Sequence, residues 1–303
     1  MSQDQIQYNI LLFYKFVNIP DPQQFTTDHL QYCKDLGVKG RIIVACEGIN
    51  GTLSGTVEQT DQYMKDLHEN PLFADMIFKI DESHEHAFKK LFVRHKAELV
   101  TFRYEKHLDP NELSGKRLSP IEFHEQLQQE DVIVIDGRND YEYKIGHFRN
   151  AIRPDVESFR EFPEWIRNNL SQHKDKKVLT YCTGGIRCEK LTGFLMNEGF
   201  NDVAQLDGGI VSYGKDPEVQ GRLFDGKCYV FDERISVPIN HTDEDIIVGE
   251  CHHCGKSEDR YINCGYALCH AKHICCQECE QIHHGFCSDE CEEKFTNMEI
   301  TQV

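Results

Sequence analysis

No run of apolar residues in this sequence approaches the roughly 20 that a membrane-spanning helix requires. Nothing near the N-terminus combines basic residues with an apolar run in the manner of a secretion signal. A protein of the cytoplasm, without a membrane partner, is the expectation. Basic residues are scarce, with 33 Lys and Arg against 51 Asp and Glu and a formal net charge of -18. That balance argues against indiscriminate nucleic-acid binding. Also missing are the glycine spacings of a dinucleotide fold or a P-loop, any flavin fingerprint, and any haem attachment motif. An oxidation carried out here would have to proceed without those groups or with one that leaves no such mark.

What the sequence has in quantity is cysteine, 14 in 303 residues, nine of them after residue 250. Without a secretion signal, metal binding and redox chemistry are expected ahead of disulfides. The charge is also uneven. Residues 221–303 hold seven Lys/Arg against 16 Asp/Glu, a balance of -9, whereas His86 to His107 hold six against two, a balance of +4. An acidic chain can therefore carry a local basic face, although a solvated edge without a partner fits the same charges.

The length suggests two or three domains. Tyr8 to Phe16 reads as a buried strand, and Asp21-Pro22 opens a helix that runs to Leu36 and stops at Gly37. Gly40 to Cys46 is a second strand. Glu47 to Gly55 packs three glycines around a third, read as a tight strand connection ahead of a phosphate cradle. A helix from Val57 to His68 and a strand from Met76 to Ile80 follow. The order β-α-β-β-α-β suits a ferredoxin-like α+β domain over residues 1–105. Phe92 to Phe102, carrying Arg94 and Lys96, reads as an extended connector to the next domain.

In residues 106–220, Gly115 to Ser119 reads as a turn and Pro120 to Gln128 as a short helix. Val132 to Asp136, Lys177 to Tyr181 and Val203 to Leu206 are apolar strands of the type that parallel sheets bury on both faces, alternating with helices at Trp165 to Leu170 and Arg187 to Glu198. Ligands of such open α/β sheets collect at the carboxyl ends of the strands. There stands Cys182, followed by Thr183, Gly184, Gly185, Ile186 and Arg187. A loop of that composition can turn its N–H groups toward the sulfur. A helix N-terminus and the Arg187 charge would then favour thiolate over thiol. Cys188 is open to two readings, a packed helix cysteine or a partner that resolves an oxidised Cys182. Arg138 reads equally as a substrate contact or as half of a structural ion pair. His147 is a candidate substrate contact, though more in keeping with a satisfied loop histidine.

In residues 221–303 the pairs Cys251/Cys254, Cys264/Cys269, Cys276/Cys279 and Cys287/Cys291 would supply two tetrahedral zinc sites, joined either in sequence or as an interleaved cross-brace. The segment is too polar to fold on apolar burial alone.

Several ordered motifs carry a resemblance. Asp136-x-Arg138, Gly146-His147 and the loop from Cys182 to Arg187 resemble a rhodanese domain, whose loop cysteine carries a persulfide. Add Gly40-Arg41-Ile42, Glu47-Gly48-Ile49-Asn50-Gly51-Thr52, the run from Asp136 to Glu142, that from Gly146 to Ile152, that from Tyr181 to Lys190, and Asp207-Gly208-Gly209-Ile210. Together they resemble the bacterial tRNA uridine hydroxylase family over about residues 5–240. The resemblance implies a rhodanese-like parallel-sheet domain; with the ferredoxin-like N-terminal domain and the cysteine-rich zinc-binding tail read from pattern and spacing, the expected fold class is α/β. It implies hydroxylation of the wobble uridine of tRNA at C5 with molecular oxygen as co-substrate, and Cys182 as the essential cysteine. On that reading Lys89, Lys90, Arg94, Lys96, Arg103, Arg149 and Arg153 would form one basic surface for the anticodon stem-loop. The alternative is a rhodanese-type sulfurtransferase with a Cys182 persulfide.

Overall fold

The computed structural model describes residues 7–106 and 108–301; His107, the end of the basic stretch, and residues 1–6 and 302–303 lie outside the described residues. The first domain consists of β1 (Tyr8–Phe16), α1 (Pro22–Leu36), β2 (Lys39–Ala45), β3 (Gly48–Thr56), α2 (Val57–Glu69), β4 (Phe78–Ser83) and β5 (Leu91–His95). Its helices begin where side chains can satisfy free N–H groups. Asp21 accepts from the Gln24 amide at 2.9 Å, and Thr56 and Gln59 close a capping box ahead of α2. The sheet order is β4-β1-β3-β2-β5, and β1 to β4 pair antiparallel in the ferredoxin-like arrangement. The glycine-rich stretch is the strand connection it was read as, with Ala45 opposite Gly48 closing the β2–β3 hairpin.

Period-2 alternation gives this sheet two unlike faces. Leu11, Phe13, Ile42, Val44, Ile49 and Leu53 pack with Cys33 of α1 and Tyr63 and Leu67 of α2. Leu12, Tyr14, Arg41, Ile43, Asn50 and Thr52 share the other face, paired across the strands in register. One expectation fails here. Residues 91–95 do not connect domains but form β5, an edge strand parallel to β2. A parallel edge strand is specified by a partner about 50 residues earlier, which local pattern cannot show.

The second unit runs through β6 (Lys116–Leu118), α3 (Pro120–Leu127), β7 (Val132–Asp136), α4 (Asp140–Ile145), β8 (Gly146–Phe148), α5 (Phe162–Asn169), β9 (Lys177–Tyr181), α6 (Ile186–Asn197), β10 (Asp202–Leu206) and α7 (Gly209–Lys215). Its four-stranded sheet, in the order β6-β10-β9-β7, is parallel throughout. Val134, Leu179, Ala204 and Leu206 pack on one side with Phe123, Ile210 and Tyr213. Ile133, Ile135, Val178 and Val203 pack on the other with Phe162, Ile166, Leu191 and Phe194. Burial on both faces is why these strands are apolar runs. The turn expected at Gly115 to Ser119 is instead strand β6, three residues long and paired only at the sheet edge.

The rest comprises β11 (Phe224–Tyr229), β12 (Ser236–Pro238), β13 (Tyr261–Asn263), β14 (Lys272–Ile274), α8 (Gln277–Ile282) and α9 (Asp289–Thr301). Strand β11 pairs with β8. The tail leans on the parallel-sheet unit through Ile145, Tyr229, Tyr261 and Ile274, and the Tyr261 hydroxyl donates to the Tyr141 carbonyl at 2.6 Å. Among the described residues no helix is long and apolar enough to cross a membrane.

Candidate active site

Strand β9 delivers Cys182 to the carboxyl edge of the parallel sheet. Its last residue is held by the Tyr181 hydroxyl, which donates to Asp136 at 2.7 Å and accepts from the Phe148 amide at 3.3 Å. The chain then turns sharply because Gly185 adopts φ +104°, where a Cβ would also press on the Tyr14 hydroxyl at 3.0 Å. That turn points the Gly185 N–H at the Cys182 sulfur, 3.1 Å away. From behind, the start of α7 donates the Ile210 and Val211 amides to the Cys182 and Thr183 carbonyls at 3.0 and 3.1 Å.

Cys182 is only 1% exposed. Burial pushes its thiol up, but the Cys188 side chain, the Arg187 charge and the Cys188 and Arg187 backbone amides together outweigh it and bring Cys182 down to about 6. Cys188 moves the other way, pushed well up by burial and by the sulfur it faces. Cys188, in the first turn of α6, thus favours the thiolate form of Cys182.

Arg187 is not a free charge. It makes a two-pronged pair with Glu142 of α4, both contacts at 2.6 Å, and Thr183 donates to the same carboxylate at 3.3 Å. Glu142 is fully buried; burial raises its carboxyl, but Arg187 holds it below the usual range. Glu142 has no role that the sequence alone reveals, because a partner 45 residues away leaves no local signal.

The helix-free face of the first sheet lies over this loop. Tyr14 donates to Glu189 at 2.9 Å, and Lys79 donates to the Gly184 carbonyl at 3.0 Å. The buried Lys190 ammonium reaches Glu47 and Glu98, each at 2.8 Å. Between sheet and loop remains a cavity of about 310 Å³, with Cys182, Thr183, Gly184 and Arg187 on one side and Leu12, Tyr14, Arg41, Asn50, Thr52, Phe88 and Phe231 among the residues opposite and around it. The walls are mostly apolar, with a few polar groups able to orient a flat ligand.

Three family models match successive parts of the chain: the UPF0176 acylphosphatase like domain over residues 8–99, the Rhodanese-like domain over 119–216 and the Rhodanase C-terminal model over 225–292. A protein of Bacillus licheniformis named tRNA uridine(34) hydroxylase is 60% identical over 296 residues, covering 98% of this chain and 92% of the relative. Proteins of the same name from Bacillus velezensis and Bacillus pumilus are each 56% identical, with the same coverage. The chain belongs to the tRNA uridine(34) hydroxylase family. It is an enzyme, and the resemblance drawn from its motifs holds over nearly its whole length.

In this member of the hydroxylase family, the other residues singled out from sequence do not all meet Cys182. Arg138 has a side chain with no exposure, spent on Asp136 at 2.7 Å and on the Gly146 carbonyl at 2.6 Å. Its position is that of a structural ion pair, out of reach of a substrate, and its expected substrate contact is not supported by this geometry. His147 stacks on Tyr143 at 3.8 Å and meets the Tyr143 carbonyl through Nδ1 at 3.0 Å. It borders a different cavity, shared with Arg153 and with His252 and His273 of the tail. Arg149 pairs with Asp225 and Glu244, Arg153 with Asp140, and Lys89 with Glu233.

Arg94 and Lys96 are exposed. Arg94 pairs in register with Ile43, on the face that caps the loop, and its guanidinium lies 4.9 Å from the Phe92 ring centre. Arg41, missed from sequence, is exposed on the same face and borders the cavity.

The tail of this hydroxylase-family chain gathers eight of its nine cysteines after residue 250 into two groups of four. Cys251, Cys254, Cys276 and Cys279 form one, and Cys264, Cys269, Cys287 and Cys291 the other, with the sulfurs of each within 4.8 Å of one another. The pairs therefore interleave. Backbone amides of Cys276, Cys279 and Cys287 point at the Cys251, Cys276 and Cys264 sulfurs at 3.4–3.5 Å, as suits thiolates. Four such sulfurs at this spacing can hold a metal ion.

Proposed function

We propose that this enzyme hydroxylates uridine 34 of tRNA at C5, using molecular oxygen, with the Cys182 thiolate as the covalent nucleophile. The observation that carries the reading is the placement of a buried, N–H-cradled sulfur beside a base-sized, mostly apolar cavity. Relatives at 53–60% identity bear the name of that activity.

Cys182 sulfur adds to C6 of the uracil ring, breaking the 5,6 double bond and leaving an enolate with nucleophilic character at C5. C5 takes up dioxygen and a proton to become a hydroperoxide. Two equivalents of an external thiol reductant cleave the O–O bond, yielding the C5 hydroxyl, one water and one disulfide. Loss of the C5 proton and departure of the Cys182 thiolate from C6 restore the double bond. The net reaction converts uridine, dioxygen and two thiols into 5-hydroxyuridine, water and a disulfide. The Arg187–Glu142 pair keeps the loop in shape, and the amides that cradle the sulfur stabilise it each time it is released as thiolate.

A base reaches the cavity only by leaving its stack, which is cheaper in an anticodon loop than in a duplex. Arg41, Arg94 and Lys96 would meet the anticodon backbone, and the exposed Phe231 at the cavity would stack on a base. Two zinc ions, one in each interleaved set of four cysteines, would fold the tail.

Rhodanese-type sulfur transfer is the second reading, because the same nest would hold a persulfide. The near-complete burial of Cys182 beneath the first sheet weighs against exchange with a large sulfur acceptor. Nucleoside mass spectrometry decides between them. A deletion strain should regain 5-hydroxyuridine with the wild-type gene and not with Cys182→Ser, and thiosulfate-dependent sulfur transfer without any such nucleoside would replace this reading with the second.

A further inference from the structure

Beside the two groups of four thiols the tail holds another cluster, which neither group uses. His253, His273 and Cys275 bring two imidazole nitrogens and one sulfur within 4.8 Å of one another. His273 is 7% exposed and Cys275 fully buried. Neither ring nitrogen of His273 has a hydrogen-bond partner, nor does Nε2 of His253. Neutral imidazole carries a donor on one nitrogen and a lone pair on the other, so a buried ring satisfied at neither loses hydration at both.

The surroundings explain no other use for these rings. His253 stacks on His283 at 3.9 Å, and His252 lies 5.1 Å and 5.6 Å from His253 and His273. Crowded imidazoles repel if protonated and gain little from one another if neutral. A cation among them turns the unused lone pairs into bonds. Two imidazoles and a thiolate suit a borderline-soft divalent ion, zinc above all. Cys275 packs against Cys251, Cys276 and Cys279. If that neighbouring group of thiolates holds its own divalent ion it keeps a net negative charge, which favours a cation alongside.

We propose that His253, His273 and Cys275 form a further zinc site, distinct from both four-cysteine sets, with one position left to a small ligand. His273 borders the second cavity, together with His147 and Arg153, so water or a small anion can reach the ion from that side. A structural site closes its shell with protein atoms; three protein ligands and an accessible fourth position leave an ion open to exchange.

The test uses the full-length chain, loaded with excess zinc, desalted and analysed for metal content and by zinc-edge X-ray absorption. Three zinc ions per chain, with imidazole scattering in the wild-type spectrum, are expected. His253→Ala and Cys275→Ser should each lose one ion and the imidazole signal while keeping two ions in sulfur shells. The wild-type spectrum needs no variant, so a misfolded variant cannot hide the result. An all-sulfur shell in the wild type overturns the proposal, as does an unchanged ion count in a folded His253→Ala protein. Failure of the four-cysteine reading looks different, as loss of sulfur-ligated ions with the imidazole-bound ion retained.

Discussion

Tyr14 donates a hydrogen bond of 2.9 Å to Glu189 across 175 residues of chain, tying the first sheet to the helix that follows the cysteine loop. Glu189 also accepts from Ser114 at 2.6 Å and Arg117 at 2.8 Å, so its buried carboxylate is shared by both sides of the junction. Burial, followed by the Glu189 charge, pushes the Tyr14 hydroxyl far above its ordinary range, keeping it a donor at every working pH.

Tyr14→Phe should therefore loosen the cap without emptying it. The loss should be about 1.5–3 kcal/mol of stability, the usual worth of a hydrogen bond to a charged group, read as a lower denaturation midpoint. Alkylation of Cys182 by a small reagent should become faster as the cap opens more often. A variant as stable and as slowly alkylated as wild type would remove this hydrogen bond from the account of the site.

Cys182→Ser should abolish 5-hydroxyuridine formation and leave the fold intact, since serine is nearly isosteric. Cys188→Ser should retain part of the activity, because a hydroxyl still donates toward the thiolate. Equal and complete loss from both, by nucleoside mass spectrometry, would point instead to a two-cysteine redox relay.

The rate of Cys182 alkylation should rise with pH through a midpoint near 6, where its thiol is held below its ordinary value. The linkage has a definite sign. A depressed thiol contributes stability that is fully present above the unfolded value, about 8.5, and that is lost as pH falls through about 6. A midpoint near that of an ordinary cysteine would show that the amide nest does not stabilise the thiolate.

Glu142→Gln should be among the most damaging single changes near the site. It leaves the buried Arg187 guanidinium without its counter-charge, a loss of about 3–5 kcal/mol for a broken buried pair. Urea unfolding measures it. Loss below about 1 kcal/mol would mean that Arg187 finds water or another partner.

Arg41→Ala, and the pair Arg94→Ala with Lys96→Ala, should weaken tRNA binding without changing the reactivity of Cys182 toward a small alkylating agent. Each lost phosphate contact should lower the dependence of log affinity on log salt by about 0.7–0.9. Unchanged affinity at low salt in both variants would move the RNA to another face.

Much of this protein could be read one segment at a time. The bounds of β1, β7 and β9 coincide with the apolar runs from Tyr8, Val132 and Lys177, because a strand buried on one or both faces must announce itself in consecutive or alternating side chains. The loop from Cys182 to Arg187 was legible for a similar reason: its glycine turn and the helix start behind it are local events. Tertiary structure decided whatever depends on partners distant in sequence. It assigned residues 91–95 to a sheet edge instead of a connector, and spent Arg187 on Glu142, 45 residues away. It placed Leu12 and Tyr14 over the cysteine loop and interleaved the cysteine pairs of the tail. Spacing along a chain limits which residues can share a turn; which charges and sulfurs meet across 18 to 175 residues is settled only when the sheets and helices pack and each buried polar group must find a partner.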